Sequence, residues 1–179
     1  MKVNVTIAPA ALGRFGQFVL QLIEDNVAAG VDRKGNAFAP YSTRPFARPL
    51  GGVPKRAISY LKSSNAIQIF TTKRGSLWMV VEGGYAALKT AIRQSSSGVD
   101  MQLTGDMMKQ LAVLSTSDNG IVIGFLTAEA AEKAYYATVA GAGKSRVIRD
   151  FLGLTDQQWD QAVQKTLTGE GAVQISITF

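Results

Sequence analysis

"STSDNGIVIGF", residues 115–125, decides the fold class. Asn119-Gly120 tolerates the positive φ angles of a tight hairpin turn, and Ile121, Ile123 and Phe125 alternate behind it. Working outward, "LTGDMMKQLAVL" predicts a helix capped by Thr104, with Asp106 at its positive end. Leu103, Met107, Leu111 and Leu114 would then point to the core. Downstream, Thr127 caps the helical "AEAAEKAYYATV", with Glu129 near its start. Thr155 and Gln158 form a capping-box pattern ahead of Trp159, Val163 and Leu167. The tail "GAVQISITF" alternates Val173, Ile175, Ile177 and Phe179, which predicts a closing strand.

The first half repeats these signals. Val3, Val5 and Ile7 alternate as a short strand, and Pro9 then suits a first helical turn. Leu12, Phe15, Phe18, Val19, Leu22 and Ile23 form one apolar stripe on a long helix, with Gly30 as its stop. "AIQIFTTKRGSLWMVVEGG" reads as two strands around a Lys73-Arg74-Gly75 turn, with Ile67, Ile69, Leu77, Met79 and Val81 inward. "YAALKTAIRQ" favours a short helix carrying Leu88 and Ile92. Strands and helices without regular βαβ repetition predict an α+β fold: a mainly antiparallel sheet against a long N-terminal helix and shorter helices. Residues 1–179 are read as a single domain.

One stretch interrupts the pattern. Residues 31–56 hold four of the five prolines together with Gly35, Gly51 and Gly52, and no period survives. They predict an extended irregular arm, a length that usually means function or disorder. Phe38, Tyr41 and Phe46 lie in it. Such rings need something to pack on, which makes them candidate contacts to a neighbouring subunit. The closing Phe179 joins them as a terminal-strand contact.

Composition narrows the chemistry. The chain has no cysteine and no histidine. Cys-His pairs, Ser-His-Asp triads, thiolate or imidazole zinc sites and imidazole acid–base catalysis are therefore excluded. Asp106, Glu82 and Tyr85 are the groups left to suggest an enzyme, and each reads more simply as a cap residue, a solvated acid and a packed ring. No catalytic residue, metal or cofactor is expected. No apolar run reaches the ~20 residues that span a bilayer. The N-terminus lacks the unbroken apolar stretch of a secretion signal, so an intracellular origin is expected.

"VAGAGKSRVIRDFLGL", residues 139–154, imitates a phosphate loop. The real motif, G-x-x-x-x-G-K-[ST], needs a glycine five residues before Gly143, where this chain has Thr138. It also leaves a strand, whereas "AEKAYYATV" has helical composition. The stretch reads as a glycine link followed by three cations, Lys144, Arg146 and Arg149, that could meet a partner or DNA phosphates.

The net charge of +6 is unevenly placed. From Arg33 to Arg93 there are eleven basic residues against one acid, Glu82, so that segment carries +10 and the rest −4. One reading is a solvated surface. The other is a basic face toward DNA or an acidic protein, with Arg44, Arg48, Lys55 and Arg56 as candidate contacts. Few aromatics interleave these charges, which favours backbone electrostatics over base stacking.

"RKGNAFAPYS" behind an N-terminal helix resembles the D-x-x-G-x-x-[WF]-x-P-L-S segment of tailed-phage virion-morphogenesis proteins, the neck or tail-completion group. "LTGDMMKQL", the "DNGIVIGF" hairpin, a Tyr-Ala-containing helix, a glycine loop and "FLGLT" with a closing helix follow that family's order, from about Asp32 to Leu167. The chain departs from the family at "YYATVAGAG", which lacks a histidine, and at "RDFLGL", where the family has RPFLGL. The stretch "WMVVEGGYAALKTAIRQSSS" is also longer than its counterpart in shorter relatives. The resemblance implies a non-enzymatic particle component at the head–tail junction, located in the virion and in host cytoplasm during assembly. It would form a ring of copies of itself and meet connector and tail-terminator or tail-tube subunits, with packaged DNA as a further neighbour and no membrane. A basic nucleic-acid-binding module is the alternative.

Overall fold

The computed structural model describes residues 2–93, 106–117, 120–141, 146–168 and 173–178, with backbone alone at 2–6, 93 and 173–178. In chain order the first half contains β1 (Lys2–Ile7), α1 (Pro9–Ala29), β2 (Phe46–Pro49), α2 (Lys55–Ser63), β3 (Ile67–Thr71), β4 (Leu77–Val81) and α3 (Gly84–Arg93). The second half contains β5 (Leu111–Ser117), β6 (Gly120–Phe125), α4 (Ala128–Tyr135), α5 (Asp156–Leu167) and β7 (Val173–Thr178). All strand pairs are antiparallel, in sheets ordered β1-β7, β2-β4-β3 and β5-β6. The fold is α+β, with its strands shared among three small sheets. The chain clusters into two compact units, residues 1–38 with 100–179 and residues 39–99, where the sequence suggests one continuous domain.

The first unit is organised by α1. Pro9 opens the helix, where a missing N–H costs nothing, and Gly30 closes it at φ 76°. Leu12, Val19, Leu20, Ile23 and Val27 make its buried stripe, which packs on α5 and on the β5–β6 hairpin. Asn26 is buried in that stripe and exchanges two hydrogen bonds with Gln158 of α5. Its Nδ2 donates to Oε1 at 3.0 Å and its Oδ1 accepts from Nε2 at 2.7 Å. The Gln158 amide also completes the capping box with Thr155 that the sequence predicts, so one side chain caps α5 and satisfies a buried amide. At the chain ends, register places Val3, Val5 and Ile7 opposite Ile177, Ile175 and Val173.

Two expectations fail in this unit. The helix expected across 103–114 is a 3-10 turn at Met108–Gln110 followed by β5. Spacings of four in Leu103, Met107 and Leu111 imitate a helix, but β6 is bonded along 111–117 and pulls that stretch into a strand. A register shift between Val113 and Ser115 bulges Leu114 outward, leaving it 47% exposed. Thr104 and Leu103 lie outside the described residues, as does Asn119 of the turn; Ser117 paired with Gly120 closes the ladder on either side of it.

In the second unit, α2 packs on β3, α3 on β4, and the two helices on each other. Met79, Val81, Ala57, Leu61, Leu88 and Ala91 are nearly inaccessible and form its core. The irregular arm expected over 31–56 is mostly organised. Residues 31–38 fold back within the first unit through a Val31–Ala37 bridge, 46–49 are β2, and α2 begins at Lys55. Strand pairing with β4 supplies the order that proline-rich local sequence does not. No helix among the described residues is long and apolar enough to cross a membrane.

Candidate interaction surface

In the first unit the segments around Asp32 and Phe151 meet. The Asp32 carboxylate accepts the backbone N–H groups of Lys34 and Asn36, both at 2.9 Å, and so folds 32–36 into a tight turn. Slight burial pushes its pKa up, but the Asn36 and Lys34 N–H donors, the Asn36 amide and the Lys34 charge outweigh this and hold the carboxyl below its ordinary value. The turn delivers Phe38 into the interior, 6% exposed. It also lays Arg33 along residues 150–153. The Arg33 N–H donates to the Asp150 carbonyl at 2.9 Å, and its Nε pairs with the Asp150 carboxylate at 2.7 Å. Its stem covers Gly153, where a Cβ would lie 3.0 Å from Arg33 Cδ. Phe151 and Leu154 are buried beside this contact. Phe38 is thus an internal anchor of its own unit, not a free ring awaiting a neighbour.

In the second unit Tyr41 and Phe46 gather on Tyr85, with ring centroids 5.1 and 6.1 Å away. Lys89, itself buried, reaches the Tyr41 face at 5.6 Å. The chain at 42–44 is clamped to the start of α3: the Ala86 N–H donates to the Ser42 carbonyl, and Gly84 lies directly beneath. Gly84 has φ 67°, and a Cβ there would collide with the Ser42 and Arg44 carbonyl oxygens. The rings therefore find an intrachain partner that composition alone does not reveal.

The candidate cations are scattered. Arg44 and Lys55 are exposed, and Arg48 is half-buried with its Nε donating to the Pro49 carbonyl. Arg56 donates to the Ile92 carbonyl at 3.1 Å and ties α2 to the end of α3. Arg146 is exposed, whereas Arg149 is 8% exposed, with its N–H donating to the Ala137 carbonyl. Burial removes Arg149 from any surface contact. Lys144 and Phe179 lie outside the described residues, as do Gly143 and Ser145 of the Gly-Lys-Ser stretch. The residues leading into that stretch, Tyr136–Ala140, continue α4 as a wide π-helical turn. A phosphate loop leaves a strand instead.

Sequence reasoning passed over two surfaces. One is apolar and belongs to the first unit: Leu126, Tyr135, Tyr136, Val139 and Ile148 are all more than half exposed. The Arg149–Ala137 hydrogen bond holds residue 148 alongside the 136–140 turn, which carries Tyr136 and Val139. The other is the outer face of the β2-β4-β3 sheet. Residues directly opposite on antiparallel strands share a face. Met79 and Val81 face the helices, so Trp78 and Val80 face outward. Register then sets Pro49, Trp78 and Phe70 in one row and Ala47, Val80 and Gln68 in the next. Phe70 is 42% exposed and Trp78 is half-buried. The signal that would have found them is the complement of the inward set: alternation away from Met79, carried across the Lys73-Arg74 turn.

Of the groups that suggested an enzyme, Glu82 accepts a hydrogen bond from Gln68, Tyr85 is enclosed by rings, and Asp106 pairs with Lys109 at 4.0 Å. Among the described residues no three Asp, Glu, His or Cys side chains converge as metal ligands would. No protein-family model, curated protein or solved structure matches the chain.

Proposed function

We propose that this chain is a structural, non-enzymatic protein of a tailed-phage particle. It acts at the head–tail junction as a ring of identical subunits between connector and tail-terminator or tail-tube proteins. The observation that carries the reading is the contact between Arg33 and the Asp150–Gly153 segment. The stretches that resemble the virion-morphogenesis pattern, 32–38 of the first and 150–155 of the second, are far apart in sequence yet pack on each other through Arg33. Their packing together is what supports the resemblance.

The exposed Tyr135, Tyr136, Val139 and Ile148 support assembly, because a monomer rarely leaves several large apolar side chains together in water. Repeated head-to-tail contacts through such a surface close into rings. The decisive experiment removes the gene from a phage that carries it and restores it with or without Val139→Ser and Ile148→Ser. Loss of the gene is expected to leave unjoined heads and tails. The doubly substituted protein is expected to fold but not to restore joined particles. Normal particles without the gene would overturn the proposal.

A further inference from the structure

We propose that the outer face of the β2-β4-β3 sheet binds single-stranded nucleic acid, with Trp78 and Phe70 stacking on bases and Lys73 and Arg74 meeting adjacent phosphates. This goes beyond the particle reading and does not rest on it. The row Pro49, Trp78, Phe70 runs across all three strands on the face opposite the core. Phe70 and Trp78 are directly opposed, which puts their attachment points ~5 Å apart. Two neighbouring nucleotides of an unpaired strand can reach both rings.

The cations are placed to serve that row. Thr71 pairs with Leu77 one step beyond the rings, and the next residues form the turn bearing Lys73 and Arg74, both exposed. The Gly75 N–H donates to Thr72 and the Thr72 N–H to Ser76, so the turn is a fixed support. Charge selects the class of partner. Residues 39–99 contain nine cations and a single acid, for a net +8. That acid, Glu82, sits past the opposite end of β4 and is engaged by Gln68. A second copy of this unit would bring a second net +8 beside the first and is disfavoured. A polyanion is attracted. Duplex bases are already stacked on one another, so only an unpaired strand has base faces free to cover the two rings.

The test uses the full chain carrying Trp159→Phe, which leaves Trp78 as the only tryptophan. A labelled oligothymidylate of about twenty nucleotides is titrated at about 0.05 M salt, reading both anisotropy and Trp78 emission. Binding with quenched emission is expected, and duplex DNA or polyphosphate should leave the emission unchanged. Phe70→Ala is expected to weaken single-strand binding by about tenfold, while Phe70→Tyr retains it. Lys73→Gln with Arg74→Gln should reduce the slope of log affinity against log salt by about 1.4. Anisotropy with the unsubstituted chain repeats the same arms should Trp159→Phe disturb the fold. Absence of single-strand binding overturns the proposal. So does equal affinity for duplex that is indifferent to Phe70→Ala, which is general polyanion attraction. Quenching by polyglutamate but not by oligothymidylate also overturns it and assigns the face to an acidic protein.

Discussion

The two units leave different kinds of apolar surface uncovered: exposed residues around the 136–140 turn in the first, and the outer face of a sheet in the second. In the first, Phe38, Phe151 and Leu154 sit behind a loop junction that Arg33 closes over, and residues 1–38 with 100–179 total −2 in formal charge. In the second, three strands and two helices make a one-sided core at Met79 and Val81, leaving Phe70 in water within a +8 segment. The difference follows from the amount of chain available. A small unit has too little surface-covering sequence to bury both faces of a sheet. Its uncovered face is the one proposed above to meet an unpaired strand.

Each unit contains one tryptophan, Trp159 in the first and Trp78 in the second, so each can be followed by itself. Phe151→Ala has the largest expected effect. Deleting a fully buried ring costs about 3–5 kcal/mol, read as a lower denaturant midpoint for Trp159. If the Trp78 transition moved by the same amount, the two units would be one cooperative body and the contrast would break. Gly84→Ala comes next, at about 2 kcal/mol for a left-handed backbone with no room for a Cβ. It should lower the Trp78 midpoint selectively; an unchanged midpoint would mean that residues 42–44 are not clamped to α3.

Asp32→Asn is the smallest, about 1 kcal/mol at neutral pH for weakened hydrogen bonds at the turn. Its sign with pH is diagnostic. The folded carboxyl lies below its unfolded value of about 3.9, so its stabilisation is complete above that pH and is lost as pH falls through the lower folded pKa. The native chain and Asp32→Asn should therefore converge in stability only in that acidic window. A gap that persists there would assign the effect to packing instead of charge.

Local signals made much of this legible in advance. The Pro9 start and Gly30 stop of α1, the alternating termini, Leu88 and Ile92 on α3, and the Thr155–Gln158 box are all written within a few residues of where they act. What escaped depends on distant pairing. Leu111 and Leu114 carry a helical spacing that β6 overrides. The α2 helix buries only Ala57 and Leu61 and adjoins a proline-rich stretch, so its own pattern is faint. Phe38 resembles part of an arm until the Asp32 turn bends it back. The outward pair Phe70 and Trp78 is the other half of a strand alternation whose inward half holds at Met79 and Val81 but fails at Leu77, which is 52% exposed near the turn. Tyr41 and Phe46 looked unpartnered because Tyr85 follows only after two further strands.

The first unit is stitched from two stretches separated by the whole of the second. On the ribosome, α1 therefore emerges long before the hairpin and α5 that will cover it. Roughly 80 residues separate Gly30 from the start of β5, and at about 5–20 residues per second the helix waits some 4–16 seconds with its apolar stripe bare. Residues 39–99 are contiguous and can collapse during that interval. The inserted segment thus sets how long the nascent helix stays adhesive.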